Sequence, residues 1–340
     1  MRPLLQGGVD VYQVVFTMPD ELSSLALGNR REMFRLLFHS AWQSLKRVIE
    51  NEQQFEPAAA MVLHTWNQHL ESHVHVHAVV PAGGPSLTNP EEWKSATPPP
   101  YERQSRPWLV DADVLRYEFR KRFLTGLRRL HAQNKLKLEG KWCVLRNQAA
   151  FELFLKPLEE KSWVTYIEPP PSKESRSEDV IKYLARYLTG GPISDRRLIS
   201  YDGSTVTFSA RKGTTHGGSD ETEDVPLPAG EFVRRWCLHI LPQGFSKSRR
   251  YGGWSSQHQQ RYIKQCRELL SRDGQQDGRT SEVPPATSDS TPAAAEPFER
   301  PCPICGHGLE RLEFVHRTSW RDIFSSTDRP HWYRIREPCR

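Results

Sequence analysis

An α+β fold is what this sequence predicts, and three observations near its start carry the prediction. Val11 to Thr17 (VYQVVFT) is dense in β-branched and aromatic residues and is stopped by Pro19, the composition of a buried strand. From Asn29 to Glu50 the apolar residues Phe34, Leu37, Phe38, Ala41, Leu45, Val48 and Ile49 recur at three- and four-residue intervals, which winds them onto one face of a helix. Met61 to Trp66 and His73 to Val80 are two short runs of strand composition separated by a polar hinge, with PAGGP expected to close the second as a turn. The order is β-α-β-β.

A second helix follows, with Leu115, Phe119, Phe123, Leu127 and Leu130 on one face and Arg120, Lys121, Arg122, Arg128 and Arg129 over the rest of its surface. Trp163 to Ile167 has strand composition. After the polar PPPSKESRS loop a helix is expected to open at Ser177, where Glu178 and Asp179 suit the positive end of its dipole. Leu198 to Phe208 reads as a hairpin around Asp202-Gly203, and Glu231 to Leu241 as a helix ending before Pro242 and Gly244. Residues 1–254 are therefore expected to form the main domain and 255–270 a helical extension. Residues 271–298, poor in large apolar groups and rich in Pro, Ser, Thr, Ala and Asp, read as a flexible, disordered linker, and 299–340 as a small C-terminal segment.

With 37% hydrophobic and 26% charged residues, the 340-residue chain can bury one substantial core and carry something smaller. Lys plus Arg exceed Asp plus Glu by 47 to 41, and the net charge of +6 favours an anionic partner without identifying it. No apolar run approaches the roughly 20 residues of a membrane helix, and the N-terminus MRPLLQGGVD lacks a signal peptide's apolar stretch, so a cytoplasmic protein with no membrane partner is expected. Cys143, Cys237 and Cys266 are scattered, whereas Cys302 and Cys305 are paired in CPIC. That usage suits a reducing compartment with one metal knuckle better than a disulfide framework.

The run HVHVHAVVP places His73, His75 and His77 on one face of a strand and Val74 and Val76 on the other, because side chains alternate. Residues two apart lie roughly 6.8 Å apart, so neighbouring imidazoles can converge on one ion, while the outer two, about 13 Å apart, cannot easily join them. One pair should bind metal. Neutral imidazole suits Mn, Zn or Fe, and tolerates Mg when phosphate and water fill the other positions. Burying imidazoles side by side without a partner is costly, which favours a metal pair over structural histidines.

Tyr183 and Tyr187 are four apart in VIKYLARYLTG, so both phenols project from one side of the expected helix, with Lys182 and Arg186 nearby. A tyrosine that attacks a phosphodiester becomes a phosphotyrosine and frees a sugar hydroxyl, and it needs a metal or a cationic side chain to offset charge on the phosphoryl oxygens. A tyrosine pair at this spacing is commonly helix packing, and the histidine strand is what turns the reading towards catalysis.

The blocks VVFTMPDELSSLALGNRREMFRLLF, LHTWNQHLESHVHVHAVVPAGG, VIKYLARYLTGGPISDRRL, EFVRRWCLHILPQGF and RRYGGW follow in that order. Over about residues 9–254 the chain resembles insertion sequence 91-like transposases, the two-tyrosine rolling-circle group of the HUH endonucleases. The resemblance implies a ferredoxin-like HUH endonuclease core, an antiparallel sheet with flanking helices, in which histidines occupy a central strand and tyrosines an adjacent helix. It implies a bacterial enzyme that nicks single-stranded DNA at transposon ends through a 5′-phosphotyrosine and passes the strand to target DNA. By motif, His75 and His77 would be the metal pair, with Mg or Mn bound, and Tyr183 and Tyr187 the alternating nucleophiles. Gln68, seven residues before His75, resembles the third ligand of some relatives, and His73 competes with it. Lys182, Arg186, Arg196 and Arg197 are candidate phosphate contacts or surface ion pairs.

Two departures from the family stand out. Such transposases usually begin with a cysteine-rich zinc domain, and here Met1 lies only a few residues before the first strand; if that domain helps find the element's end, the chain could retain cleavage chemistry yet lack targeting. Val74 replaces the usual proline between the first two histidines, at little cost in a strand. In the C-terminal segment, Cys302 and Cys305 could form half of a structural Zn site, completed from His307, His316, His331 and Cys339. Two alternatives are a relaxase or replication initiator with the same chemistry, and a truncated DNA-binding remnant without catalysis.

Overall fold

The computed structural model describes residues 9–97, 109–168, 190–212 and 221–276. The chain divides into units Met1–Thr280 and Ser281–Arg340, and all described residues belong to the first. The expected Ser177 helix with Tyr183 and Tyr187, linker residues 277–298, and the C-terminal segment with Cys302 and Cys305 lie outside the described residues.

Strand β1 (Val11–Thr17) is followed by the short helix α1 (Ser23–Gly28) and the long helix α2 (Arg30–Glu52), then by β2 (Ala58–Trp66) and β3 (Ser72–Pro81). Helix α3 (Ala112–Ala132) and helix α4 (Gln148–Glu160) lead to strand β6 (Thr165–Glu168). Between β3 and α3 the chain forms β4 (Gly83–Pro85) and β5 (Trp93–Ser95), which pair with each other. PAGGP is thus a small hairpin arm and not only a turn. Its glycine is needed for packing, since a Cβ on Gly84 would stand 2.6 Å from the carbonyl oxygen of Glu56 and 2.9 Å from the hydroxyl of Tyr262.

After β6 come β7 (Leu198–Tyr201), β8 (Thr205–Arg211), β9 (Thr222–Pro228), helix α5 (Ala229–Cys237), strand β10 (Ser248–Gly252) and helix α6 (Gln259–Gln276). The main sheet runs β10-β2-β3-β1-β6 and every pairing in it is antiparallel. Within it, the order β6-β1-β3-β2 with helices between β1 and β2 and between β3 and β6 is the ferredoxin-like split βαβ arrangement, extended at one edge by β10. The α+β expectation holds, with the antiparallel sheet and flanking helices.

Alternation divides the sheet into two faces. Tyr12, Val14, Phe16, Met61, Leu63, Val74, Val76, Ala78 and Val80 join the main core with α2, α3 and α4. Phe119 of α3 meets Phe16 edge-on at 5.1 Å and Trp163 at 5.4 Å. Helix α3 starts where the sequence pattern does because the Asp111 carboxylate accepts hydrogen bonds from the backbone N–H groups of Asp113 and Val114, 2.8 and 3.0 Å away. On the opposite face, Tyr262 and Cys266 of α6 pack with Val11, Ala58, Val79 and Trp254. That leaves the other end of β2 and β3 open for polar side chains.

Strands β7, β8 and β9 form a separate three-stranded sheet whose small core, Phe208, Ala210 and Leu227, closes over Leu70 in the β2–β3 turn. Helix α5 stops at Cys237, four residues short of the expected Leu241. The chain tightens there, the His239 N–H bonding to the Trp236 carbonyl, and the His239 side chain turns inward to Thr65 and Leu70. Helix α6 continues to Gln276, beyond the residue at which the linker was expected to begin. Among the described residues, no helix is long and apolar enough to cross a membrane.

Candidate metal centre

β2 and β3 fold back around the turn at residues 67–71, where the Asn67 side-chain oxygen accepts from the backbone N–H groups of His69 and Glu71, both at 2.9 Å. This closure sets His64 directly opposite His75 and Val62 opposite His77. Three imidazoles converge. Ring centroids are 4.9 Å apart for His75 and His77, 5.3 Å for His64 and His75, and 4.6 Å for His64 and His77. One nitrogen from each of the three lies within 4.8 Å of the others, a spacing that small side-chain rotations reduce to the roughly 4.2 Å maximum for two nitrogens on one ion.

His64 was not among the residues expected from the sequence. The hairpin folded about the polar hinge in LHTWNQHLESHVHVH brings the first histidine towards the run, and the register shift between His64 and Trp66 is what sets it opposite His75. Gln68 lies exposed in the turn, and its backbone carbonyl accepts from Arg197. His73, at the mouth of the strand, has its Nδ1 3.5 Å from the Asp20 carboxylate, while its ring centroid is 5.1 Å from that of His75. The compact set is therefore His64, His75 and His77.

The hydrogen bonds around these rings decide which nitrogen is available. His75 Nδ1 is 2.9 Å from the carbonyl oxygen of His73, which can only accept, so Nδ1 carries the proton and Nε2 keeps its lone pair. His77 Nδ1 is engaged by the Gln13 amide of β1 at 2.9 Å. His64 stacks on Trp66, centroids 4.7 Å apart. Burial, together with the nearby imidazoles of His77, His64 and His73, holds His75 well below the usual histidine range, so it is neutral at neutral pH and ready to donate. Neutral nitrogen donors of this number suit a divalent ion of the Mn, Fe or Zn type, with positions left for oxygen ligands.

The family model described as "Putative transposase" matches residues 59–261, from β2 into α6. The chain belongs to this transposase family, a family of enzymes that act on DNA. It is similar to "Putative transposase y4qJ" of Sinorhizobium fredii, 30% identical over 299 residues that make up 87% of this chain and 71% of that protein. It is also similar to "Transposase for insertion sequence element IS801" of Pseudomonas savastanoi pv. phaseolicola, 25% identical over 262 residues, 76% of this chain and 57% of that one.

In this transposase the histidine cluster is braced from the β7–β9 side. Arg197 donates to the carbonyls of Gln68 and Ser209, and Arg235 to that of His69. Arg197, a candidate phosphate contact from the sequence, is thereby committed to backbone oxygens. Lys182, Arg186, Tyr183 and Tyr187 lie outside the described residues. The first described residue beyond the tyrosine block is Gly190, and its carbonyl accepts from Lys247 Nζ at 2.5 Å. That ammonium also stands 5.0 Å over the Trp66 ring, next to His64 in the stack.

Proposed function

We propose that the chain is a metal-dependent single-strand DNA transposase of the rolling-circle type, with His64, His75 and His77 as ligands of a divalent cation and Tyr183 and Tyr187 as nucleophiles. The observation that carries this reading is the convergence of three imidazoles at one end of a ferredoxin-like sheet, two of them with Nδ1 already engaged, in a chain of a transposase family. A second observation supports it. Gly190, three positions beyond Tyr187 in the sequence, is anchored by Lys247 beside Trp66 and His64, and three residues of chain span at most about 11 Å.

A bound cation would draw charge from the non-bridging phosphoryl oxygens and orient the scissile phosphate. One tyrosine oxygen attacks phosphorus as its proton departs. The bond from phosphorus to the 3′ oxygen breaks, that oxygen leaves as a 3′-hydroxyl after taking a proton, and the 5′ end remains as a phosphotyrosine ester. The reverse attack by a 3′-hydroxyl on this ester joins strands and restores the tyrosine, so two tyrosines allow a second cleavage before the first link resolves. The half-buried Lys247, whose pKa burial lowers, stands on the side of the cluster where the tyrosine block rejoins the described chain.

Labelled single-stranded DNA from the element's ends, incubated with the chain and Mn or Mg, should give a protein–DNA band that survives denaturation and disappears with chelator. Tyr183→Phe and Tyr187→Phe together should remove it. A band that persists in the double variant sinks the nucleophile assignment, and one indifferent to chelator sinks the metal.

A further inference from the structure

Gln13 is a polar side chain in the middle of β1, where its strand neighbours are Tyr12 and Val14, and it is only 7% exposed. It lies on the histidine face. Register pairs Val15 with His77 and Gln13 with Val79, so Gln13 reaches His77 diagonally across the β1–β3 ladder. One end of its amide is 2.9 Å from His77 Nδ1, and its other end, Oε1, is buried with no hydrogen-bond partner. A buried amide on a sheet face with half its capacity unused calls for a functional explanation.

We propose that Gln13 is a positioning residue for the metal centre: its side-chain oxygen accepts from Nδ1–H of His77 and so keeps the Nε2 lone pair free for the cation. This rests on the reading of His64, His75 and His77 as ligands. His75 supplies the comparison within the same strand. Its Nδ1 faces a carbonyl oxygen, an acceptor that fixes the proton on Nδ1. At His77 the Gln13 amide stands in the equivalent place, 2.9 Å from Nδ1. Rotation of the amide by 180° exchanges two groups of nearly the same shape and presents Oε1, now without a partner, to Nδ1. With the amide nitrogen donating instead, His77 would carry its proton on Nε2, against the other imidazoles and in place of a cation. A cation therefore selects the accepting orientation, and the amide in turn holds the ring in position for it.

The test is a Mn2+ titration of the full chain, followed through the EPR signal of the free ion, for the parent and for Gln13→Leu, Gln13→Glu and His75→Ala. Thermal melts in chelator show that each variant is folded. Gln13→Leu keeps the bulk and loses the acceptor, and should weaken binding roughly 10- to 100-fold, the usual cost of losing such a partner. Gln13→Glu can only accept, and should bind within about threefold of the parent if acceptance is what matters. Leu binding like the parent, or Glu weakened as much as Leu, overturns the role of Gln13 while the metal centre stands. Parent and His75→Ala equally unable to bind overturns both.

Discussion

At the scale of single residues, the centre is defined by which nitrogens can meet. His64 faces His75 across the hairpin, whereas Gln68 is exposed at the turn. His64→Ala should therefore weaken Mn2+ binding by roughly 10- to 100-fold or more, and Gln68→Ala should leave it within about threefold, both read by titration. The reverse ranking would return the third position to Gln68. The alternation that puts His75 and His77 on one face was legible in the sequence, because period two needs no tertiary information. His64 was not, since its place depends on the hairpin register, which includes an irregularity between His64 and Trp66. Gln13 was hidden for a similar reason: a single polar residue in VYQVVFT says nothing of its diagonal neighbour two strands away in the sequence.

At the scale of elements, long periodic segments were readable and short edge pieces were not. Strand β1, helices α2 and α3, and the β2–β3 pair follow from spacing, and their burial explains why. Helix α4 is not among the elements expected from the sequence, although Phe151, Leu155 and Leu158 are buried at helical spacing and Asn147 caps its start. Pro157 within it weakens the local pattern. Strand β10 (SRRYG) is too short and too basic to announce itself, and is built by its neighbours: Arg249 lies 4.5 Å over the ring of Phe38 and 5.0 Å over that of Phe245, and Tyr251 stacks on Trp42 at 5.3 Å. Its end is set by Gly252, with φ of 58°. A Cβ there would stand 2.0 Å from the Pro57 carbonyl oxygen and 2.7 Å from the Trp42 ring. Backbone, not a flexible side-chain tip, blocks the methyl. Gly252→Ala should cost about 2–4 kcal/mol, combining left-handed backbone strain with displacement of the β2 entry, and a denaturant melt at constant slope would show it. A loss under about 0.5 kcal/mol would mean that the edge strand is dispensable.

At the scale of the whole described chain, the β7–β9 sheet with α5 acts as a brace on the turn that sets the histidine register. Leu70 is fully buried in its small core and holds φ of 60°, a conformation that costs a leucine about 1–2 kcal/mol and persists because Phe208, Ala210 and Leu227 enclose it. His239 completes the clamp, its Nε2 3.0 Å from the Leu70 carbonyl and its Nδ1 3.1 Å from the Thr65 hydroxyl. Burial lowers the pKa of His239 below the ordinary 6.5, outweighing the opposite pull of the Leu70 carbonyl, and Arg30 adds to the lowering. A folded pKa below the unfolded one means that the open state binds more protons as pH falls. The clamp's contribution is then complete above about pH 6.5 and declines as pH drops from there through the folded pKa. Amide exchange over residues 62–72, corrected for its intrinsic pH dependence, should show weaker protection at pH 5.5 than at pH 7.5. His239→Gln, which keeps a donor but does not titrate, should flatten that difference. His75 of the nearby cluster is also held below the usual histidine range by burial, so the decisive comparison is parent against His239→Gln at both pH values. An undiminished pH effect in the variant would move the switch from the brace to the metal ligands themselves.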